Sequence, residues 1–210
     1  MSSFLCKNYS DLSKKIIRHG HRKWGKVICK TSVFWSTFSA QNKGFGGIMK
    51  ESLLITNGPV RSFYNELIEN LNSCSQFKIS VAFITYGGLQ VLLETLKALE
   101  TRNIQGEILT TTYKEMTSPQ VLERLSKFKN IHLKIYVPPT QNDGFHAKGY
   151  LFHKNSPDSE KWTVIIGSSN ITGRALKTNV EWNVLQNENC GEFQEPGAFT
   201  KSVLDEFETL

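Results

Sequence analysis

Between Pro59 and Leu71 the apolar residues Phe63, Leu67 and Leu71 recur at i, i+4, i+8, the spacing of one helix face, so a helix is expected there. Phe77 to Ile84 (FKISVAFI) is β-branched and largely apolar, which predicts a strand. Gly87-Gly88 is expected to separate it from a helix over Leu89 to Leu99, whose leucines suit packing on a sheet. The unit then repeats: Glu107 to Thr112 as strand, Ser118-Pro119 as helix start, Gln120 to Phe128 as helix and Ile131 to Val137 as strand. Such alternation implies parallel pairing in a layered α/β sheet.

After Pro138-Pro139 the rhythm changes. Phe145 to His153 and Trp162 to Ser168 read as strands joined by a polar loop, Lys154 to Lys161, in a hairpin. Asn179 to Leu185 predicts one more strand, and Phe199 to Phe207 a closing helix with Val203, Leu204 and Phe207 inward. The fold expected is a mixed, largely parallel sheet flanked by helices, and no internal repeat interrupts it.

Charge changes this picture at the N-terminus. Residues 1–50 carry ten Lys/Arg against the single acid Asp11, whereas from Glu51 onward 15 bases face 18 acids. The folded part, taken as 49–210, is therefore mildly acidic, and affinity for phosphate there must come from a few well-placed cations rather than from the pI of about 9.1. Residues 1–48 form a basic, Ser-rich extension expected to be poorly ordered. An organelle-import peptide, a nucleic-acid-binding arm and a dispensable leader before a true start at Met49 all fit that composition. Cys6, Cys29, Cys74 and Cys190 are scattered without a C-x-x-C pair, which argues against a zinc site and for a reduced, cytoplasmic setting. No apolar run approaches the ~20 residues that cross a bilayer, so no membrane is expected as a partner.

Chemistry concentrates late in the chain. His146 and Lys148 lie two apart on a predicted strand, so they leave the same face with Tyr150 and Phe152. A nucleophilic imidazole beside a fixed cation suits attack on phosphorus, because the cation neutralises charge on the non-bridging oxygens. The triplet alone is unspecific, since His21-Arg22-Lys23 and His132-Leu133-Lys134 repeat it. Only His146 is followed by Gly167-Ser168-Ser169-Asn170 and then Asn179-Val180-Glu181-Trp182. Ser168 and Asn170 share parity at a strand end, where hydroxyl, amide and backbone N–H groups can converge on phosphate oxygens, and Gly167 permits close backbone approach. Glu181 can accept from one imidazole nitrogen and so fix the tautomer that attacks. The bland alternatives are that Ser168 and Asn170 cap a short helix starting near Thr172, and that Glu181 is a surface acid. Thr110 to Tyr113 and Tyr86 are candidates to line a cleft. His19 and His21 lack acidic or Cys partners, so no metal is expected.

The segments F-H-A-K-G-Y-L-F-H (145–153), G-S-S-N-I-T-G-R-A-L (167–176) and N-V-E-W-N-V (179–184) resemble the HKD signature of the phospholipase D superfamily. The run from Phe77 to Trp182, with V-A-F-I (81–84) and L-T-T-T-Y (109–113), is most similar to the phospholipase D-like domain of bacterial superfamily II helicases and some restriction endonucleases. The resemblance implies that His146 attacks phosphorus to form a phosphohistidine and that a second His protonates the leaving oxygen. Water then releases product without a metal or other cofactor, while Lys148, Ser168 and Asn170 bind the phosphate. It implies two such motifs per site, hence a homodimer with the site on its two-fold axis. His153 stands where the motif carries Asp; its parity is opposite to that of His146, so it is expected to point away from the site.

The expected function is a nuclease, DNA favoured over RNA as substrate, with a helicase or restriction system as a further partner. The absence of G-x-x-x-x-G-K-[ST] excludes a P-loop motor in this sequence. The alternatives are a non-catalytic nucleic-acid-binding module and a lipid phosphodiesterase, the latter requiring an apolar rim that the sequence does not display.

Overall fold

The computed structural model describes residues 49–59, 61–112, 115–140, 144–156, 159–190 and 195–210, so the expectations for residues 1–48 lie outside the described residues. Seven strands form one sheet: β1 (Met49–Ile55), β2 (Gln76–Val81), β3 (Gln105–Thr111), β4 (Ile131–Tyr136), β5 (Lys148–Ser156), β6 (Ser159–Gly167) and β7 (Asn183–Cys190). Their order is β1-β7-β6-β5-β2-β3-β4. The helices are α1 (Phe63–Ser73), α2 (Tyr86–Thr101), α3 (Pro119–Leu125), α4 (Gly173–Lys177) and α5 (Ala198–Thr209).

The sheet is mixed, as expected, but its parallel share is the smaller one. β2 pairs with β3 and β3 with β4 in parallel, while the other four pairings are antiparallel. The helical crossovers α2 and α3 produce the parallel part, and the β5–β6 hairpin brings the chain back antiparallel. That hairpin is longer than expected: pairing continues to Ser156↔Ser159, so most of the polar segment 154–161 is strand rather than loop. β1, which the apolar pattern of the sequence does not reveal, lies at the edge beside β7.

One row crosses all seven strands in register: Leu53, Leu185, Ile165, Tyr150, Ile79, Ile108 and Leu133. Against it pack Phe63, Leu67 and Leu71 of α1, the leucines of α2, and Val121 and Leu125 of α3. Ser62 caps α1, its hydroxyl accepting from the Asn65 N–H (3.2 Å). Ser118 and Pro119 open α3 as the sequence implies. Gly87 and Gly88, by contrast, do not form a turn. Thr85 caps α2, accepting from the Gly88 N–H (3.2 Å), and both glycines lie in its first turn. Gly88 is required by proximity, because a Cβ there would sit 2.2 Å from the Ile171 carbonyl oxygen. α2 ends on Asn103, whose φ of 56° allows its N–H to bond Glu100 O and the next N–H, of Ile104, to bond Leu99 O.

The opposite face carries α5. The buried Glu188 carboxylate accepts from the Gly197 N–H (3.0 Å) and the Thr200 hydroxyl (2.8 Å) at its start. Near its end Lys78 and Lys134 approach Glu208 and stand 5.1 and 5.2 Å from the Phe207 ring centroid. Of the three residues expected inward, Phe207 is buried, and Val203 and Leu204 are half-buried. α5 covers Leu109 but leaves Leu54, Val184 and Ile166, neighbours in register on β1, β7 and β6, exposed.

Candidate active site

The next register step beyond the apolar row, on the same face, is different in kind. Asn183 pairs with Gly167, Lys148 pairs with Val81, and Lys148 lies two residues before Tyr150. This polar margin lies at the C-terminal ends of β2 and β3, where open α/β sheets place ligands.

His146 does not lie on the strand, as parity had suggested, but in the segment before β5, and it is exposed. Its ring meets Phe83 edge-on, centroids 6.3 Å apart. Lys148, the first residue of β5, is 7% exposed and donates from Nζ to the His146 carbonyl oxygen (2.6 Å). Burial holds the Lys148 ammonium below its ordinary pKa, and the negative charge of Glu181 opposes that shift. The contact fixes the backbone that carries His146 and keeps the cation beside it.

Phe83 also connects to the second motif, since its backbone N–H donates to Asn170 Oδ1 (3.1 Å). That bond requires the oxygen of the amide on the Phe83 side, leaving Nδ2 as the group with which Asn170 can reach an anion. Ser168 donates from Oγ to Glu181 Oε2 and accepts the Trp182 N–H (3.1 Å), while its own N–H donates to the Trp182 carbonyl oxygen (3.1 Å). Gly167 bears out the close approach, since a Cβ would stand 2.3 Å from the Trp182 oxygen. Neither Ser168 nor Asn170 is spent on capping: Thr172 caps α4, accepting from the Ala175 N–H (3.1 Å).

Glu181 differs from expectation. It is buried, its two oxygens engage Ser168 and Asn179 Nδ2 (3.3 Å), and no contact with His146 is found among the described residues. The reason is local: the His146 ring turns toward Phe83, whereas Glu181 precedes β7 and faces the loop after β6. Its charge acts instead on Lys148 and on Tyr150, whose hydroxyl pKa is raised well above the ordinary value by burial and then by Glu181.

Two further residues hold the loop and were not singled out from sequence. The Tyr150 hydroxyl donates to Ser169 O (2.8 Å), and Asn183 brackets the same residue, Oδ1 accepting from Ser169 N–H (3.3 Å) and Nδ2 donating to Ser169 Oγ (2.9 Å). The signal for both was parity: Tyr150 shares the Lys148 face, and Asn183 shares the Glu181 spacing. His153 lies on the face opposite Lys148, stacked on Trp162 with centroids 4.3 Å apart and beside Gln76 (3.0 Å). Of the cleft candidates, Thr110 is buried against Thr117 (3.5 Å), Tyr86 is exposed, and Tyr113 lies outside the described residues.

No group of three or more His, Cys, Asp or Glu able to hold a metal occurs among the described residues. No helix there is long and apolar enough to cross a membrane.

The family described as "Cardiolipin synthase, PLD-like domain" matches residues 67–210. The chain belongs to the phospholipase D superfamily. In fold it is similar to NucT from Helicobacter pylori (TM-score 0.56, 16% identity, 77% of this chain and 95% of that one). It is also similar to the phospholipase D family member Nuc from Salmonella typhimurium (TM-score 0.54, 16% identity, 77% and 93%). A third similar fold is phosphatidylserine synthase from Haemophilus influenzae Rd KW20 (TM-score 0.53, 10% identity), where 77% of this chain covers 38% of that one. No curated protein sequence matches this phospholipase D-like chain.

Proposed function

We propose that the chain is a phosphodiesterase of nuclease type, metal-independent, in which His146 is the nucleophile, Lys148 and Asn170 hold the phosphate, and Ser168, tied to Glu181 and Trp182, shapes the loop beside it. The observation that carries this reading is the link through Phe83. One residue presents its ring to His146 and its N–H to Asn170, with buried Lys148 bonded to the His146 backbone. An exposed imidazole beside a cation and a free amide donor is the arrangement that in-line attack on phosphorus needs.

An imidazole nitrogen bonds to phosphorus as the P–O bond to the leaving oxygen breaks, and that oxygen takes a proton from a second imidazole. Water, giving a proton to that second imidazole, then attacks phosphorus, the P–N bond breaks, and both imidazoles are regenerated. Glu181 positions Ser168 rather than the imidazole. The motif occurs once in this sequence, so the second imidazole comes from a second copy. The exposed row Leu54, Val184 and Ile166, one register step from the site on the back of the sheet, supports a contact with that copy.

The resemblance of the run from Phe77 to Trp182 to the phospholipase D-like domain of superfamily II helicases and restriction endonucleases favours nucleic acid as substrate. The test is cleavage of single- and double-stranded DNA and RNA in EDTA, beside His146→Ala and a phospholipid arm. Cleavage that survives EDTA and disappears in the variant is expected. Binding without turnover in both proteins would instead make the chain a non-catalytic module, and turnover of phospholipid alone would replace the substrate class. An active species that scatters light as a monomer would overturn the two-copy site.

A further inference from the structure

Trp182 is 68% exposed, although its backbone is firmly held. Its N–H and carbonyl both bond Ser168, and its carbonyl nests against Gly167 where no Cβ fits. Burying an indole is among the largest apolar gains available to a side chain, so a rigidly held, solvent-facing Trp beside a polar site is anomalous for a residue serving the fold alone. Across the same loop a second aromatic stands free. Thr85 N–H bonds Ile171 O (3.0 Å), and the next residue, Tyr86, is 59% exposed. Ser168 and Ile171 are three residues apart, so the backbones that carry the two aromatic residues adjoin the two ends of the short loop with Ser168 and Asn170.

We propose that Trp182, assisted by Tyr86, is a stacking platform for unpaired bases adjoining the phosphate, so that the site takes single-stranded nucleic acid. This rests on the reading of the site as one for nucleic-acid phosphodiesters. Bases offer their π-faces to an aromatic ring only when they are not already stacked in a duplex, and stacking tolerates any sequence. Electrostatics point the same way. From Glu51 onward the chain has more acids than bases, so the net charge of that part does not favour the doubled charge of a duplex. Affinity must be supplemented by contacts that carry no charge. Glu181, turned inward between exposed Val180 and Trp182, keeps its carboxylate on Ser168 and out of the path of the strand.

The test is binding of a labelled oligothymidylate and of a duplex of equal length by the full chain in EDTA, with His146→Ala present throughout to prevent turnover. Adding Trp182→Ala is expected to weaken single-strand binding about tenfold (about 1.4 kcal/mol) and to change duplex binding less than about twofold. The dependence of log affinity on log salt should keep its slope, because stacking releases no counterions. The emission difference between the parent and Trp182→Phe should be quenched by the oligonucleotide. Equal losses for both nucleic acids, or no loss, would overturn the proposal. So would an emission difference that depends on protein concentration without nucleic acid, which would mean that a second copy covers the indole. If the parent binds no nucleic acid at all, the nuclease reading itself falls; if it binds and only Trp182→Ala is silent, the platform alone falls.

Discussion

Replacing Tyr150 by Phe isolates one hydroxyl. The ring is fully buried and meets Phe63 edge-on at 5.1 Å, and Phe preserves that packing. What is lost is the 2.8 Å bond to the Ser169 carbonyl, which leaves a buried acceptor unpaired in the middle of the site loop. A net hydrogen bond contributes about 1 kcal/mol and an orphaned buried group costs about 1–3 kcal/mol, so a loss of about 1.5 kcal/mol is expected, or about 3–6 °C in Tm for a domain of this size. Asn183→Ala removes two bonds to the same residue and should cost about 2–4 kcal/mol. Because both side chains grip Ser169, their effects should not add: the double variant should be less destabilised than the two single losses together, by about 1 kcal/mol. Urea unfolding followed by far-UV circular dichroism measures the cycle, and turnover of a chromogenic phosphodiester reports the site. Turnover should fall about tenfold in Tyr150→Phe, since Ser168 and Asn170 flank the released residue and small misplacements of binding groups are costly. Additivity within about 0.3 kcal/mol, together with unchanged turnover, would refute the view that Tyr150 and Asn183 share the task of shaping this loop.

Gly88→Ala should destabilise by about 1–3 kcal/mol, because its Cβ would meet backbone atoms of Ile171 and Thr172, whereas Gly87→Ala, with open space around it, should be neutral or stabilising; thermal melts of the pair compare the two. Lys148 has a folded pKa below 10.5, so between the folded value and 10.5 the unfolded chain binds more protons, and stability linked to this residue rises with pH across that window. Lys148→Met should therefore be the more stable protein at neutral pH, and its advantage in urea midpoint should shrink as pH approaches 10.5, while its phosphodiesterase activity is lost.

The elements that sequence revealed were those whose stability is local. The Phe63/Leu67/Leu71 stripe, the leucines of α2 and the Ser118-Pro119 start each need only their own periodicity or cap. Gly87-Gly88 misled because glycine marks a turn and a close contact alike, and here the contact, with Ile171, lies over eighty residues away. β1 went unseen because Leu53 and Leu54 blur its alternation, and its partner β7 lies some 130 residues later. In the site, residue types and spacing exposed His146, Lys148, Ser168, Asn170 and Glu181 as a group. The partners of Glu181, and the roles of Phe83, Tyr150 and Asn183, depend on cross-strand register that no spacing along the chain encodes.

The mixed pairing of the sheet bears directly on how such a site can exist. In a fully parallel sheet the starts of strands all lie at one end and their finishes at the other. Here H-x-K opens β5, G-S-S-N closes β6 and N-V-E-W leads into β7, so parallel pairing would separate the second motif from the first and third by the length of a strand. Antiparallel pairing of β5 with β6 and of β6 with β7 folds all three onto one end. Antiparallel pairing of β5 with β2 then makes that end the C-terminal end of β2 and β3, where Phe83 and the cap of α2 wait. The larger antiparallel share is thus the feature that brings His146, Lys148 and the loop carrying Ser168 and Asn170 together. The register of β5 on β6 is a condition of it, because a slip of one residue there would turn Lys148 and Tyr150 together to the opposite face from Asn183.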